Sequence, residues 1–155
     1  GFKGNLWRTW KEKGILMAKK NPAQSIEVYR PSILVLDDEL KICLIIKKIL
    51  ELSSLFNNIV VAHTVSIALL KIQNEKFDLV IVDYNLPDKK GTEFIDMVSR
   101  TRETSKVKFL LISGYLDNKT VSEIINLRIS QVLVKPFSMV MLLNKVCEIL
   151  KIEKK

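Results

Sequence analysis

The fold is decided by the stretch Phe77-Asp78-Leu79-Val80-Ile81-Val82-Asp83-Tyr84-Asn85-Leu86-Pro87-Asp88-Lys89-Lys90-Gly91. Its apolar, β-branched run from Leu79 to Val82 is typical of a strand buried on both faces. The run ends at the carboxylate of Asp83, and turn-forming residues follow. Open α/β sheets bind their ligands beyond the carboxyl ends of the strands, so Asp83 is a candidate functional residue.

Three further apolar runs also end in polar residues. An acid pair follows the first run, a hydroxyl ends the second, and an amine follows the third: Ser32–Leu36 before Asp37-Asp38-Glu39, Val107–Ile112 before Ser113-Gly114, and Val132–Val134 before Lys135-Pro136. Four strands that each end in a polar group predict one functional edge of a sheet.

Strands and helices alternate from Pro31 onward. The predicted strands span residues 32–36, 57–62, 78–83, 107–112 and 131–134, and the predicted helices span about 40–52, 64–74, 92–101, 119–127 and 138–151. Thr64 is the predicted cap of the second helix. The apolar patterns place Ile45, Ile67 and Leu70 on buried faces. Such alternation predicts a parallel sheet covered by helices on both faces.

Composition is that of one globular domain. The chain has 155 residues, 48% of them hydrophobic, and no apolar run approaches the roughly 18 residues of a membrane span. No secretory signal is visible. Cys43 and Cys147 fall in apolar helical patterns, which indicates reduced core thiols and a cytoplasmic protein. Neither a Cys/His zinc cluster nor a glycine-rich phosphate loop is present in the sequence.

Residues 1–31 form a separate basic segment. They contain seven Lys and Arg residues and two Glu residues, a net +5 of the chain's +8. Phe2, Leu6 and Trp10 fall at helical spacing, which is compatible with a short amphipathic helix. Three interpretations stay open: a linker or tail, whose residues before Met17 could be foreign to the natural protein; a helix packed on the domain or on a twin chain; and a membrane-surface or partner-binding helix. The first is favoured, so membrane contact is not expected.

Three carboxylates at one sheet edge, Asp37, Asp38 and Asp83, predict a cation site. Hard oxygen ligands in this number suit Mg²⁺. With the amine of Lys135 and the hydroxyl of Ser113, these groups could move a phosphoryl group onto Asp83. The folded part is only mildly basic, so direct nucleic-acid binding by this chain is not expected.

The pattern resembles the receiver domain of bacterial two-component response regulators. It consists, in chain order, of Asp37-Asp38, Asp83-x-x-x-Pro87-x-x-x-Gly91, Ser113-Gly114 and Lys135-Pro136-Phe137. The resemblance covers nearly all of residues 32–152, the predicted domain. It implies a flavodoxin-like (βα)5 fold: a doubly wound, five-stranded parallel sheet in the order 2-1-3-4-5.

The resemblance also implies roles for the site residues. Asp83 would be phosphorylated by the phosphohistidine of a histidine kinase or phosphotransfer domain. Mg²⁺ would be bound directly by Asp38, Asp83 and the backbone carbonyl of Asn85, and by Asp37 mainly through water. Ser113 and Lys135 would contact the phosphoryl oxygens, and the Lys135–Pro136 bond would be cis. The chain would be a signalling phosphoacceptor that promotes only its own phosphorylation and dephosphorylation.

Two positions depart from the family pattern. Val132 stands where the family usually has the aromatic switch residue, and Arg128-Ile129 replace the usual small pair before the last strand. Signal output must therefore use another route. The fourth helix, fifth strand and fifth helix are the expected surface for a homodimer or partner, because Val140 and Met141 are predicted to point outward.

Two rival functions share part of this pattern. Haloacid-dehalogenase-like phosphatases also use an Asp nucleophile, but they need an acid two residues later, where this chain has Asn85. A degenerate receiver would act as an interaction module without phosphorylation, yet all five site positions are intact. Phosphoacceptor function is therefore the prediction.

Overall fold

The computed structural model describes residues 27–129 and 131–153. Within these ranges, five strands alternate with five α-helices and one 3₁₀ turn. In chain order they are β1 (Ile33–Leu36), α1 (Leu40–Ser53), β2 (Ile59–Ala62), α2 (Val65–Asn74), β3 (Leu79–Asp83), α3 (Gly91–Arg100), the 3₁₀ turn (Arg102–Thr104), β4 (Lys108–Ser113), α4 (Asn118–Asn126), β5 (Gln131–Val134) and α5 (Met139–Leu150). The predicted alternation is confirmed, with element ends shifted by at most two residues.

All five strands are parallel and form one sheet in the order β2-β1-β3-β4-β5. The predicted flavodoxin-like topology is therefore confirmed. From β1 the chain crosses to β2 on one side of the sheet, and it then returns to β3 on the other side of β1. The switch point lies between β1 and β3, where Leu36 pairs with Val82. An aspartate follows each of these two residues, so this register brings Asp37 and Asp83 to the same edge.

Two apolar cores enclose the sheet. Alternate residues of the central strands point to opposite faces, as the pleat requires. Ile33, Val35 and Ile81 pack beneath α1 and α5. Leu34 and Val82 pack on the other face, beneath α2 and α3. Burial on both faces explains why the strand sequences are continuously apolar rather than alternating.

Three predicted core residues are instead exposed. Ile45 is 54% exposed, Ile67 is 39% exposed and Leu70 is 59% exposed. Helices α1 and α2 carry apolar residues around most of their circumference, so the sequence pattern does not define one narrow stripe. The residues that α1 buries are Cys43, Ile46, Ile49 and Leu50, and those that α2 buries are Val65, Ala68 and Ile72.

Side-chain caps define where three helices begin. The hydroxyl of Thr64 accepts from the backbone N–H of Ile67, as predicted. Asp117 caps α4 in the same way by accepting from the N–H of Thr120, and Ser138 caps α5 by accepting from the N–H of Met141. These caps satisfy backbone donors that would otherwise lack partners at each helix start.

The two ends of the described chain line one groove at the amino ends of the strands. Tyr29 and Ile152 both contribute to this groove, together with Asp78. The hydroxyl of Tyr29 donates to Asp78 Oδ1 over 2.5 Å, and the backbone N–H of Ser32 donates to Asp78 Oδ2 over 2.8 Å. Asp78 thus anchors the segment that leads into β1.

Some predictions lie outside the described residues. The amphipathic helix considered for the basic segment falls on residues 1–26, which the structure does not describe. Within the described ranges, no helix combines the length and apolar character needed to cross a bilayer. Both cysteines are buried thiols in the core, as predicted.

Candidate functional site

Three carboxylates meet where β1 and β3 end. Oxygen atoms of Asp37, Asp38 and Asp83 all lie within 4.8 Å of one another. Asp37 and Asp83 are 2% and 6% exposed, whereas Asp38 projects into solvent. The predicted acid cluster is therefore formed, with two buried members and one that solvent reaches.

Lys135 brings a positive charge to this cluster from the end of β5. Its backbone N–H donates to the carbonyl of Ser113, which fixes the start of the β5–α5 loop. Its ammonium lies 3.0 Å from Asp83 Oδ1 and 3.8 Å from Asp37 Oδ2. The Lys135–Pro136 bond that follows is cis, as expected from the family resemblance.

Asp37 is the carboxylate of the cluster with a buried oxygen that accepts no hydrogen bond from the described residues. Its Oδ1 accepts from the backbone N–H of Glu39, but its buried Oδ2 finds no hydrogen-bond partner among the residues that the structure describes. Burial raises the pKa of Asp37 to about 6, and the charge of Asp83 adds to this increase. An oxygen with free lone pairs, beside two other carboxylates, fits a bound divalent cation.

Asp83 and Lys135 each shift the pKa of the other. Burial raises the pKa of Asp83, although the hydrogen bond and charge of Lys135 oppose the increase. Burial lowers the pKa of Lys135, but the hydrogen bond and the charge of Asp83 outweigh it, so that the net pKa is raised. Lys135 therefore stays charged at neutral pH and partly offsets the repulsion among the carboxylates.

Ser113 lies at the same edge, but its hydroxyl is turned into the loop that follows β4. It donates to the carbonyl of Tyr115 over 2.5 Å and accepts from the N–H of Tyr115 over 3.2 Å. Ser113 is almost fully buried, whereas the side chain of Tyr115 is 73% exposed. The hydroxyl must break its bond to Tyr115 before it can donate to a ligand on Asp83.

The loop after β3 is held close to the strand end. The backbone N–H of Gly91 donates to the carbonyl of Tyr84, and Asn85 pairs with Lys90 across the loop. A Cβ atom on Gly91 would lie only 2.3 Å from the carbonyl oxygen of Asp83. Glycine is therefore required at this position, because α3 begins directly against the backbone of the candidate nucleophile.

The two departures from the family pattern have distinct surroundings. Val132 is half-buried and packs against the core beneath α2 and α3. Because valine has no aromatic ring, this position cannot supply the rotating ring of the usual switch. Arg128 adopts a left-handed backbone with φ of 56°, one residue before Ile129 packs on the same core. The α4–β5 connection thus turns without a glycine.

One group of polar residues was missed by the sequence analysis. Glu123 on α4 accepts a hydrogen bond from the hydroxyl of Thr92 over 2.6 Å and another from the hydroxyl of Tyr84 over 3.5 Å. The ammonium of Lys90 lies 4.0 Å from the same carboxylate. Glu123 lies about thirty residues after the other three, and the four match no motif, so only the fold reveals that they meet.

Comparison with known proteins identifies the family. The family model of the response regulator receiver domain matches residues 33–147 of this chain. The transcriptional regulatory protein KdpE of Staphylococcus aureus is 26% identical over 68% of this chain and 44% of its own length. The chain therefore spans less than half the length of this curated relative.

Solved structures agree with this assignment. A CheY-like receiver domain protein of Methanospirillum hungatei is 30% identical, with a TM-score of 0.73 over 79% of this chain and 95% of that one. The chemotaxis response regulator CheY4 of Vibrio cholerae shares the fold, at 24% identity and a TM-score of 0.71 over 78% of this chain and 99% of that one. The acid cluster, the strand order and these matches agree, and the chain belongs to the response regulator receiver domain family, a family of signalling modules.

Proposed function

We propose that this chain is the phosphoacceptor of a two-component phosphorelay, with Asp83 as the residue that accepts the phosphoryl group. The observation that carries the proposal is the position of Asp83. Its carboxylate is 3.0 Å from the Lys135 ammonium and belongs to a cluster with Asp37 and Asp38. The donor would be the phosphohistidine of a histidine kinase or phosphotransfer protein.

The donor set fits Mg²⁺. Asp38, Asp83 and the backbone carbonyl of Asn85 would hold the ion directly, and the orphaned Oδ2 of Asp37 would bind through one of its waters. Bound there, the ion would supply positive charge that neutralises the oxygens of the phosphoryl group. The buried Oδ2 of Asp37 supports this assignment, because it accepts no hydrogen bond from the described residues and the Lys135 ammonium lies 3.8 Å away.

The chain's own residues have separate roles in the transfer. An oxygen of Asp83 attacks phosphorus in line, an oxygen–phosphorus bond forms, and the bond from phosphorus to the histidine nitrogen breaks. Lys135 moves from the Asp83 carboxylate to a phosphoryl oxygen and keeps its charge. Ser113 donates its hydroxyl to a second oxygen after leaving the carbonyl of Tyr115. In this role the chain promotes only its own phosphorylation and dephosphorylation.

A labelling experiment tests the proposal. The protein is incubated with acetyl phosphate and Mg²⁺, and the added phosphate is measured by mass spectrometry. We expect labelling of the wild type and of Asp96→Asn, a control on the exposed face of α3, but none of Asp83→Asn or of the wild type in EDTA. Labelling that persists in Asp83→Asn would refute the assignment. An unlabelled wild type would favour an interaction module that works without phosphorylation.

The output surface is proposed to comprise α4, β5 and α5. Val140 and Met141 are 66% and 48% exposed, and Val134 on β5 is 42% exposed. Exposed apolar side chains on neighbouring elements of a folded domain often mark contact surfaces. We expect a homodimer or a partner protein to bind there, in the cytoplasm, without direct contact between this chain and nucleic acid.

A further inference from the structure

A single carboxylate on α4 is held by three side chains of the segment that follows Asp83. The Glu123 carboxylate accepts hydrogen bonds from the hydroxyl of Thr92 at 2.6 Å and from the hydroxyl of Tyr84 at 3.5 Å. The ammonium of Lys90 lies 4.0 Å from the same carboxylate. We name these four residues, Tyr84, Lys90, Thr92 and Glu123, the Glu123 clamp. It bridges two elements that the sequence separates by about thirty residues.

The clamp is tied directly to the candidate nucleophile. Tyr84 follows Asp83, is 9% exposed, and is fixed by backbone hydrogen bonds to Ile112 and Gly91, each of 2.8 Å. The ammonium of Lys90 also lies 5.8 Å from the centre of the Tyr84 ring. A displacement of the backbone at Asp83 therefore reaches the clamp through one peptide unit.

Apart from the Glu123 clamp, helix α4 is held mainly by Ile124, which packs on the core beneath α2 and α3. Of its nine residues, Thr120 alone is buried. The hydroxyl of Thr120 binds Asp117 within the cap of the same helix rather than the sheet. Ile124 is half-buried, and Val121 and Ile125 are 40% and 68% exposed. A helix with so little buried apolar surface depends on polar contacts to keep its position.

The start of α4 is also linked to the site. Ser113 holds the loop before α4 by binding the carbonyl and N–H of Tyr115. Under the proposed function, the hydroxyl must give up the carbonyl when a phosphoryl group forms on Asp83. Phosphorylation then loosens the amino end of α4, and the Glu123 clamp remains as the restraint on the body of the helix.

The geometry points to the Glu123 clamp as the restraint that holds α4 in its unphosphorylated position and opposes phosphorylation at Asp83. This inference rests on the proposed function and gives a route for the signal in a chain that has Val132 in place of an aromatic switch. Coupling is reciprocal: if a phosphoryl group on Asp83 favours release of α4, an interaction that favours the held position weakens phosphoryl binding by at most the same factor.

Thr92→Val tests the inference, because valine keeps the shape of threonine and removes the hydroxyl that Glu123 accepts. Thr101→Val is the control, since the Thr101 hydroxyl, just after the end of α3, donates to the carbonyl of Met97 and makes no contact with α4 that the structure describes. Two quantities are measured in each protein. The first is the hydrogen-exchange rate of a peptide covering residues 118–126 without Mg²⁺, and the second is the affinity for beryllofluoride with Mg²⁺.

We expect Thr92→Val to speed exchange in α4 by about tenfold, the effect of one hydrogen bond to a charged group. By linkage, it should tighten beryllofluoride binding by up to about the same factor. The control should change neither quantity. Glu123→Gln, which keeps an oxygen acceptor for Thr92, should lie between the wild type and Thr92→Val in both measurements.

Either of two results would overturn the inference. If exchange in α4 is unchanged in Thr92→Val, the clamp does not hold the helix. If exchange rises but beryllofluoride affinity stays at the wild-type value or falls, the clamp is not coupled to Asp83. Failure of the proposed function is distinguishable, because a wild type that takes no phosphate from acetyl phosphate leaves the exchange comparison in the Mg²⁺-free protein intact.

Discussion

Replacement of Asp37 by asparagine should stabilise the protein in EDTA at neutral pH. The substitution keeps an oxygen that accepts from the N–H of Glu39 and removes a buried charge whose Oδ2 has no hydrogen-bond partner among the described residues. Asp37 is 2% exposed, so ionisation of its carboxylate costs free energy because water cannot solvate the charge. Removing the charge also removes its repulsion with Asp83.

The size of the effect follows from titration. The pKa of Asp37 is raised from 3.8 to about 6 in the fold. Between these values the folded state binds more protons than the unfolded state, so stability falls as pH rises through this window. The difference corresponds to about 3 kcal/mol at 1.36 kcal/mol per pH unit. Because asparagine still buries a polar amide in place of the carboxylate, we expect about 1–2 kcal/mol at pH 7.5.

Urea unfolding in EDTA at several pH values measures this difference. Asp37→Asn should be more stable than the wild type at pH 7.5, and the two curves should converge near pH 4. Asp96→Asn, which loses only the exposed pair with Arg100, should give no stabilisation at any pH. A wild type as stable as Asp37→Asn at pH 7.5, or a gap that persists at pH 4, would refute the argument from burial.

Three further predictions concern other parts of the site and surface. Gly91→Ala should lose about 1–3 kcal/mol in urea unfolding, because its Cβ would lie 2.3 Å from the Asp83 carbonyl oxygen; Gly114→Ala meets no atom within 4 Å and should be neutral. Tyr115→Ala and Tyr115→Glu should lose an acyl phosphate faster than the wild type if the exposed ring of Tyr115, two residues after Ser113, blocks the approach of water, and equal decay would exclude that role. Met141→Glu should abolish any dimer that beryllofluoride induces in sedimentation; identical monomers under every condition would exclude the homodimer.

Backbone topology could be predicted because it depends on local patterns. The apolar strands are buried on both faces, the cap at Thr64 forms, and β5 spans the predicted residues 131–134. The acid cluster could also be predicted, since Asp37 and Asp83 follow strands that a parallel sheet must bring to one edge. In these cases one residue's chemistry and its position in an element are sufficient.

Side-chain details could not be predicted where tertiary contacts decide between equivalent local choices. Ile67 and Leu70 are exposed because α2 turns a different stripe toward the sheet, although both are as apolar as Ile72. Ser113 could have faced Asp83 but binds Tyr115 instead. Glu123 meets Thr92 only because α3 and α4 are neighbours, and no sequence spacing encodes that meeting.

The groove shared by Tyr29 and Ile152 has a practical consequence for reporter proteins. Both ends of the described chain lie beside the amino ends of the strands, while the acid cluster lies at their carboxyl ends. The five residues of β3 separate these two edges by roughly 17 Å, at about 3.3 Å per residue. A fluorescent protein joined directly at residue 27 or at residue 153 would therefore sit away from Asp83, and a donor and an acceptor joined at these two positions would begin close enough for efficient energy transfer.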